Sequence, residues 1–212
     1  MRILPCALLL ACAAAFAQLP VTVVERQTLE RDELGAPGGH ARRMRLAVVL
    51  LENSGWTRAR AVTAVLEASP ILGQCGVAIE SVELDVLAVP ASHLDFSTPA
   101  ARELARAFPV GRPAVYLVRD TKSRPAFEAE AIGRGNSRTR PEIVDTVWMT
   151  SGVRDPGIAL AHELAHVLMD SGEHSTEEGN LMRDETSRGN RRMSEAQCTR
   201  LRESGRANGL LR

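Results

Sequence analysis

Apolar residues along this chain change their spacing from segment to segment, and those changes mark out its elements. Val21 to Glu25 reads as a short strand. Met44 to Leu51 is β-branched and apolar enough for a buried strand, after which Asn53-Ser54-Gly55 turns the chain into a helix predicted over Thr57 to Ala68. From Val77 to Val89 the apolar positions alternate in part, as in one long or bulged strand, and Thr98 to Phe108 then reads as a helix. Strands are predicted over Pro113 to Arg119, Ala126 to Ile132 and Asp145 to Thr150, separated by turns rich in Gly, Arg and Ser.

The strongest helical signal follows. Asp155 can cap it, Pro156 suits its first turn and Gly172 lies just past its end, so the helix is predicted over Pro156 to Asp170. Ile158, Ala161, Leu164, Ala165 and Leu168 recur at three- and four-residue steps and form a core face. Ser194-Glu195-Ala196-Gln197 offers a capping box for a last helix running to about Ser204, with Cys198 on it. Strands mixed with helices in this order predict an α/β or α+β domain rather than a bundle, and no internal repeat is apparent.

Composition narrows the picture. A chain of 212 residues with 44% hydrophobic content suits one domain with a substantial core, expected to act as a monomer. Its 26 basic residues balance 26 acidic ones, which argues against nucleic acid as a partner, because phosphate binding needs a concentrated basic excess.

The first 17 residues combine Arg2, an apolar run from Leu8 to Phe16 and small residues before Gln18, the pattern of a secretory leader. The predicted layout is a leader over 1–17, an N-terminal arm or linker over 18–40 containing Gly35 to Gly39, and one folded domain over 41–212. No later segment approaches the length of a membrane span, so a secreted or periplasmic location is expected. Leu9-Leu10-Ala11-Cys12 carries a second option, a lipid anchor at Cys12. Cleavage after Ala17 leaves Cys75 and Cys198, which in an oxidising compartment suggest one disulfide, two buried thiols being the alternative.

Three of the five histidines fall within thirteen residues, as His162-Glu163-Leu164-Ala165-His166 and then His174. One helical turn separates His162 from His166, so both imidazoles can meet at one point. Neutral imidazole is a good zinc ligand, and a catalytic zinc site needs a third. Asp170 continues the same row but sits about 12 Å along the helix from His162. His174 is better placed, because Ser171-Gly172 can end the helix and the returning segment, at about 3.3 Å per residue, can cover one turn backwards. Glu163 flanks the same cleft and can act as general base on a zinc-bound water. A purely structural zinc site fits less well, since neither Cys75 nor Cys198 lies nearby in the sequence.

His162-Glu163-Leu164-Ala165-His166, His174-Ser175 and Asn180-Leu181-Met182 together resemble the metzincin zinc metallopeptidases, especially matrixin-like enzymes. The resemblance implies a twisted mixed sheet with a backing helix and an active-site helix above the cleft, and a small C-terminal subdomain below it. It implies that His162, His166 and His174 bind zinc, that Glu163 is the base, and that Met182 forms a methionine turn beneath the metal. The family usually has Gly three residues after the second histidine and its third ligand six after. Met169 and Gly172 stand there instead, so His174 comes two residues late. No tyrosine follows Met182, and Tyr116 is the single tyrosine.

The expected function is therefore a secreted or periplasmic zinc endopeptidase acting on peptides or proteins. One alternative is an exported zinc-binding protein of the same fold without proteolytic activity. A second is a gluzincin-type peptidase whose third ligand is a glutamate such as Glu177, Glu178, Glu185 or Glu195. By family analogy the strand over Ala126 to Ile132 would be the cleft edge that pairs with substrate. Arg134, Arg138 and Arg140 nearby read either as a preference for acidic substrates or as a solvated loop.

Overall fold

Apolar residues alone fill positions 46–51 because that segment is covered on both faces. The computed structural model describes residues 19–34, 42–122, 131–134 and 140–212. In it β1 (Thr22–Glu30), β2 (Arg42–Leu51), β3 (Val77–Ala88), β4 (Ala114–Val118), β5 (Ala131–Arg134) and β6 (Thr146–Thr150) form one sheet, in the order β1-β3-β2-β4-β6-β5. The four inner strands run parallel and the two outer ones antiparallel to their neighbours. Parallel neighbours cannot be joined by a tight turn. The crossovers are α1 (Arg58–Gly73) between β2 and β3, and α2 (Thr98–Ala107) between β3 and β4.

Because strand side chains alternate, β2 feeds two cores. Leu46, Val48 and Leu50 pack with α1, α3 (Pro156–Met169) and α4 (Glu195–Ala207). Ala47, Val49 and Leu51 pack on the other side with α2, Tyr116 and Trp148. The last two rings stack with centroids 4.1 Å apart. This is the expected α+β architecture, a mixed sheet backed by helices on both faces.

Several elements differ in extent from the sequence reading. β1 runs to Glu30, pairing along β3 from Thr22 opposite Ala88 to Glu30 opposite Ser81, so part of the expected arm is a strand of the sheet. α1 continues through Pro70 to Gly73. Ile71 and Leu72 are buried there, and that burial outweighs the hydrogen bond Pro70 cannot donate. The strand expected from Ala126 is seen as β5, at the sheet edge, while residues 126–130 lie outside the described residues. So do the leader with Cys12 and the arginine at 138.

Cys75, just after α1, and Cys198 on α4 are joined by a disulfide. The bond ties α4 to the sheet-and-helix layer across 123 residues of sequence. No helix among the described residues is long and apolar enough to cross a membrane.

Candidate metal centre

α3 is enclosed on every side, with all residues from Gly157 to Met169 buried. The sequence pattern shows one apolar face and leaves the histidines on another; the fold covers both, α1 and α4 packing against the helix. Gly157 permits this approach, since a Cβ there would stand 2.3 Å from the Glu67 Cβ. His162, Glu163 and His166 are therefore polar residues held inside the molecule, 3%, 8% and 9% exposed.

The two ends of α3 depart from expectation. Asp155 occupies the cap position, but its side chain makes no capping hydrogen bond and instead pairs with Arg188 at 2.8 Å. At the other end Asp170, not Gly172, takes the left-handed conformation, with φ 48° and ψ 50°. Its N–H reaches the Val167 carbonyl and that of Ser171 reaches the His166 carbonyl, each at 3.2 Å, which is a Schellman closure. Asp tolerates this conformation better than most residues with a Cβ.

That reversal also positions a ring. His166 Nδ1 lies 2.6 Å from the Ser171 carbonyl oxygen, and His162 Nδ1 lies 2.8 Å from that of Leu181. A carbonyl can only accept, so both Nδ1 atoms carry the hydrogen and both Nε2 atoms present lone pairs. His174 is brought in from the segment after α3, as its place in the sequence suggested. Its Nε2 lies 3.2 Å from His166 Nε2, which is itself 2.9 Å from His162 Nε2.

Three imidazole nitrogens thus face one another across about the edge of a ligand tetrahedron: nitrogens bound to one zinc ion at about 2.0–2.1 Å lie roughly 3.3 Å apart. Lone pairs so disposed repel unless a cation or a proton lies between them. Outward-facing Nδ1 groups with hydrogen-bond acceptors are the usual support of metal-bound histidine. By donor type and spacing the three residues could hold a metal ion such as zinc, and His162 and His166 present the tautomer that it needs. Among the described residues no other cluster of His, Cys, Asp or Glu has this convergence.

Burial acts in the same direction. Burial, with smaller contributions from the neighbouring rings of His166 and His174, pushes the His162 imidazolium pKa down to about 4 against the opposing pull of the Leu181 carbonyl and of Asp184. His166 is lowered as well, again chiefly by burial. Both rings are neutral near pH 7, the form that binds metal.

The segment 180–182 meets the centre through the Leu181 carbonyl. Asn180 Oδ1 accepts from the Met182 N–H at 2.9 Å, and Asn180 exchanges two hydrogen bonds with the Gln197 amide at 3.1 and 3.2 Å. Gln197 completes the α4 capping box with Ser194. Met182, 1% exposed, passes its carbonyl to the Ser175 N–H at 2.6 Å, next to His174. One turn therefore holds His162 through Leu181 and the His174 segment through Met182.

No family model matches the chain, and no curated protein sequence matches it. Among solved structures it is similar to metalloproteinase-II from Bacteroides fragilis, with a TM-score of 0.54 over 80% of this chain. The fold is metalloproteinase-like. Sequence identity is 14% and the match covers 55% of that protein, so this chain spans little more than half of its length and the likeness is one of fold.

Within this metalloproteinase-like fold the glutamates weighed as third ligands are engaged elsewhere or stand apart. The Glu177 carboxylate accepts from Asn180 at 3.0 Å and that of Glu195 pairs with Arg202 at 2.8 Å. None of Glu177, Glu178, Glu185 and Glu195 joins the three-histidine group. Tyr116 is buried in the core on the α2 side of the sheet. Sequence reading named Asn180 only as part of the segment that resembles the family and gave it no role of its own, although an Asn two residues before a turn N–H is a known side-chain turn signal. It also overlooked the carbonyls of Ser171 and Leu181, which carry no sequence signal at all.

Proposed function

We propose that this chain is an exported zinc endopeptidase of metzincin type, in which His162, His166 and His174 hold one zinc ion and Glu163 is the general base. The observation that carries the reading is the convergence of three Nε2 atoms, two of them with Nδ1 groups hydrogen-bonded to main-chain carbonyls. The metalloproteinase-like fold supports it. Bound there, zinc supplies Lewis acidity that activates water and polarises the scissile carbonyl.

The chain's own residues do the rest. Glu163, next to His162 on a buried helix, takes a proton from the attacking water and returns it to the nitrogen of the breaking peptide bond, so that the amine departs neutral. Its burial keeps bulk water from competing for that proton. Met182 forms the apolar floor of the methionine turn. The outer edge of β5, the last strand of the described sheet, offers main-chain groups to an extended peptide.

Residues 1–17 serve as the leader and 41–212 as the catalytic domain, β1 being an addition from the preceding segment to its sheet. The Cys75–Cys198 bond suits an oxidising compartment outside the cytoplasm. The enzyme acts as a monomer on peptide or protein substrates.

The deciding experiment compares wild type with Glu163→Gln. The variant is expected to bind one zinc per chain while peptide hydrolysis falls by more than about 100-fold. Wild-type protein that binds no zinc, or hydrolysis that survives the substitution, overturns the proposal.

A further inference from the structure

The three imidazoles are not held alike. His162 and His166 give their Nδ1 hydrogens to main-chain carbonyls, acceptors that every residue carries. The Nδ1 of His174 instead faces a carboxylate, with Asp184 Oδ1 3.4 Å away. His174 is also the one exposed member of the group. The two segments that carry this pair are fastened together beside it, by the bond from the Ser175 N–H to the Met182 carbonyl.

We infer that Asp184 is the positioning residue of the third ligand, resting on the reading of the histidine cluster as a metal site. Its carboxylate accepts the Nδ1 hydrogen of His174 and so selects the tautomer whose Nε2 lone pair faces His162 and His166. A carboxylate in this place also makes the far nitrogen a stronger donor to a cation. Asp184 is not itself a ligand candidate, because it addresses the side of the ring turned away from the cluster.

The structure separates this role from a structural one. The Asp184 side chain is 89% exposed, and a solvated pair of this kind contributes little to folding. Its effect belongs in metal affinity. It also makes His174 the ligand whose donor strength a side chain sets, whereas the other two depend on backbone geometry.

The test uses the full chain, stripped of metal by chelation, with zinc affinity measured by competition against a chromogenic chelator and coordination followed by cobalt(II) absorption. Asp184→Asn and Asp184→Ala are expected to weaken zinc binding by about tenfold. Asp184→Glu is expected to recover most of that loss, and the melting temperature of the metal-free protein is expected to stay unchanged in all three. Wild-type protein without stoichiometric zinc removes the underlying reading. Wild type that binds zinc while Asp184→Asn keeps its affinity, or a loss that Asp184→Glu does not recover, overturns the inference alone.

Discussion

The Nδ1 of His162 is 2.8 Å from the carbonyl oxygen of Leu181, a residue 19 positions later in the chain. The Leu181 N–H is bound in turn to the Arg192 carbonyl at 2.6 Å, so the peptide that orients the ring is held from both ends. Helix α3 supplies the ligand, and the stretch before α4 decides which nitrogen it presents.

Acid should destabilise the metal-free protein in a defined window. Unfolded His162 titrates near 6.5 and the folded one near 4, so between these values the unfolded chain binds the additional proton and stability falls as pH is lowered. At about 1.4 kcal/mol per unit, this group accounts for roughly 3 kcal/mol, fully present above pH 6.5 and lost as pH falls through 4. His166 acts with the same sign. Urea unfolding of chelator-treated protein at pH 7 and pH 4.5 checks this, and His162→Gln should flatten the dependence. A midpoint that rises towards acid would contradict it.

Asn180 is 3% exposed and makes hydrogen bonds to Met182, Glu177 and Gln197. Asn180→Ala takes the acceptor from the Met182 N–H and from the half-buried Gln197 side-chain N–H, at an expected loss of about 1–3 kcal/mol. Zinc affinity should fall with it, because Leu181 lies between the two anchored residues. Denaturant unfolding paired with a zinc titration reads both effects; an unchanged titration would mean that the Leu181 carbonyl stays in place without the amide.

Asp170 tests the link between helix termination and the second histidine. Its φ of 48° is open to glycine without strain. Asp170→Gly should be neutral or stabilise by up to about 1 kcal/mol, whereas β-branched Asp170→Val should cost about 1–2 kcal/mol and weaken zinc binding by displacing the Ser171 carbonyl. Equal stability of the two variants in thermal unfolding would rule out this account of the turn.

The disulfide closes a loop of 123 residues. In the chain-entropy account its removal costs about 4–5 kcal/mol. Cys75→Ser with Cys198→Ser should lower the guanidinium midpoint accordingly, and reductant should reproduce the shift in wild type while leaving the double variant unaffected. A reductant-insensitive wild type would show that the bond contributes nothing to stability.

Much of the fold was readable in the chain, because burial imposes period on sequence. β2, β3 and α3 were legible from apolar spacing, and the α4 capping box from Ser194 and Gln197. β1 was read too short, since most of its residues are exposed and its length comes from pairing with β3. Asp170 was passed over in favour of Gly172 because glycine is the commoner helix stop, and only the closure geometry separates them.

By itself the sequence determined the imidazole pair on one helical turn, the glutamate beside it and a third histidine within reach, because helical register is local. Whether that third ring returns, which nitrogen each ring turns inward, and how dry the pair becomes were decided by tertiary structure. The carbonyls of Leu181 and Ser171 and the carboxylate of Asp184 are acceptors that meet the rings only after the chain has folded back. Backbone oxygens are the same at every position, so their selection is a property of the fold.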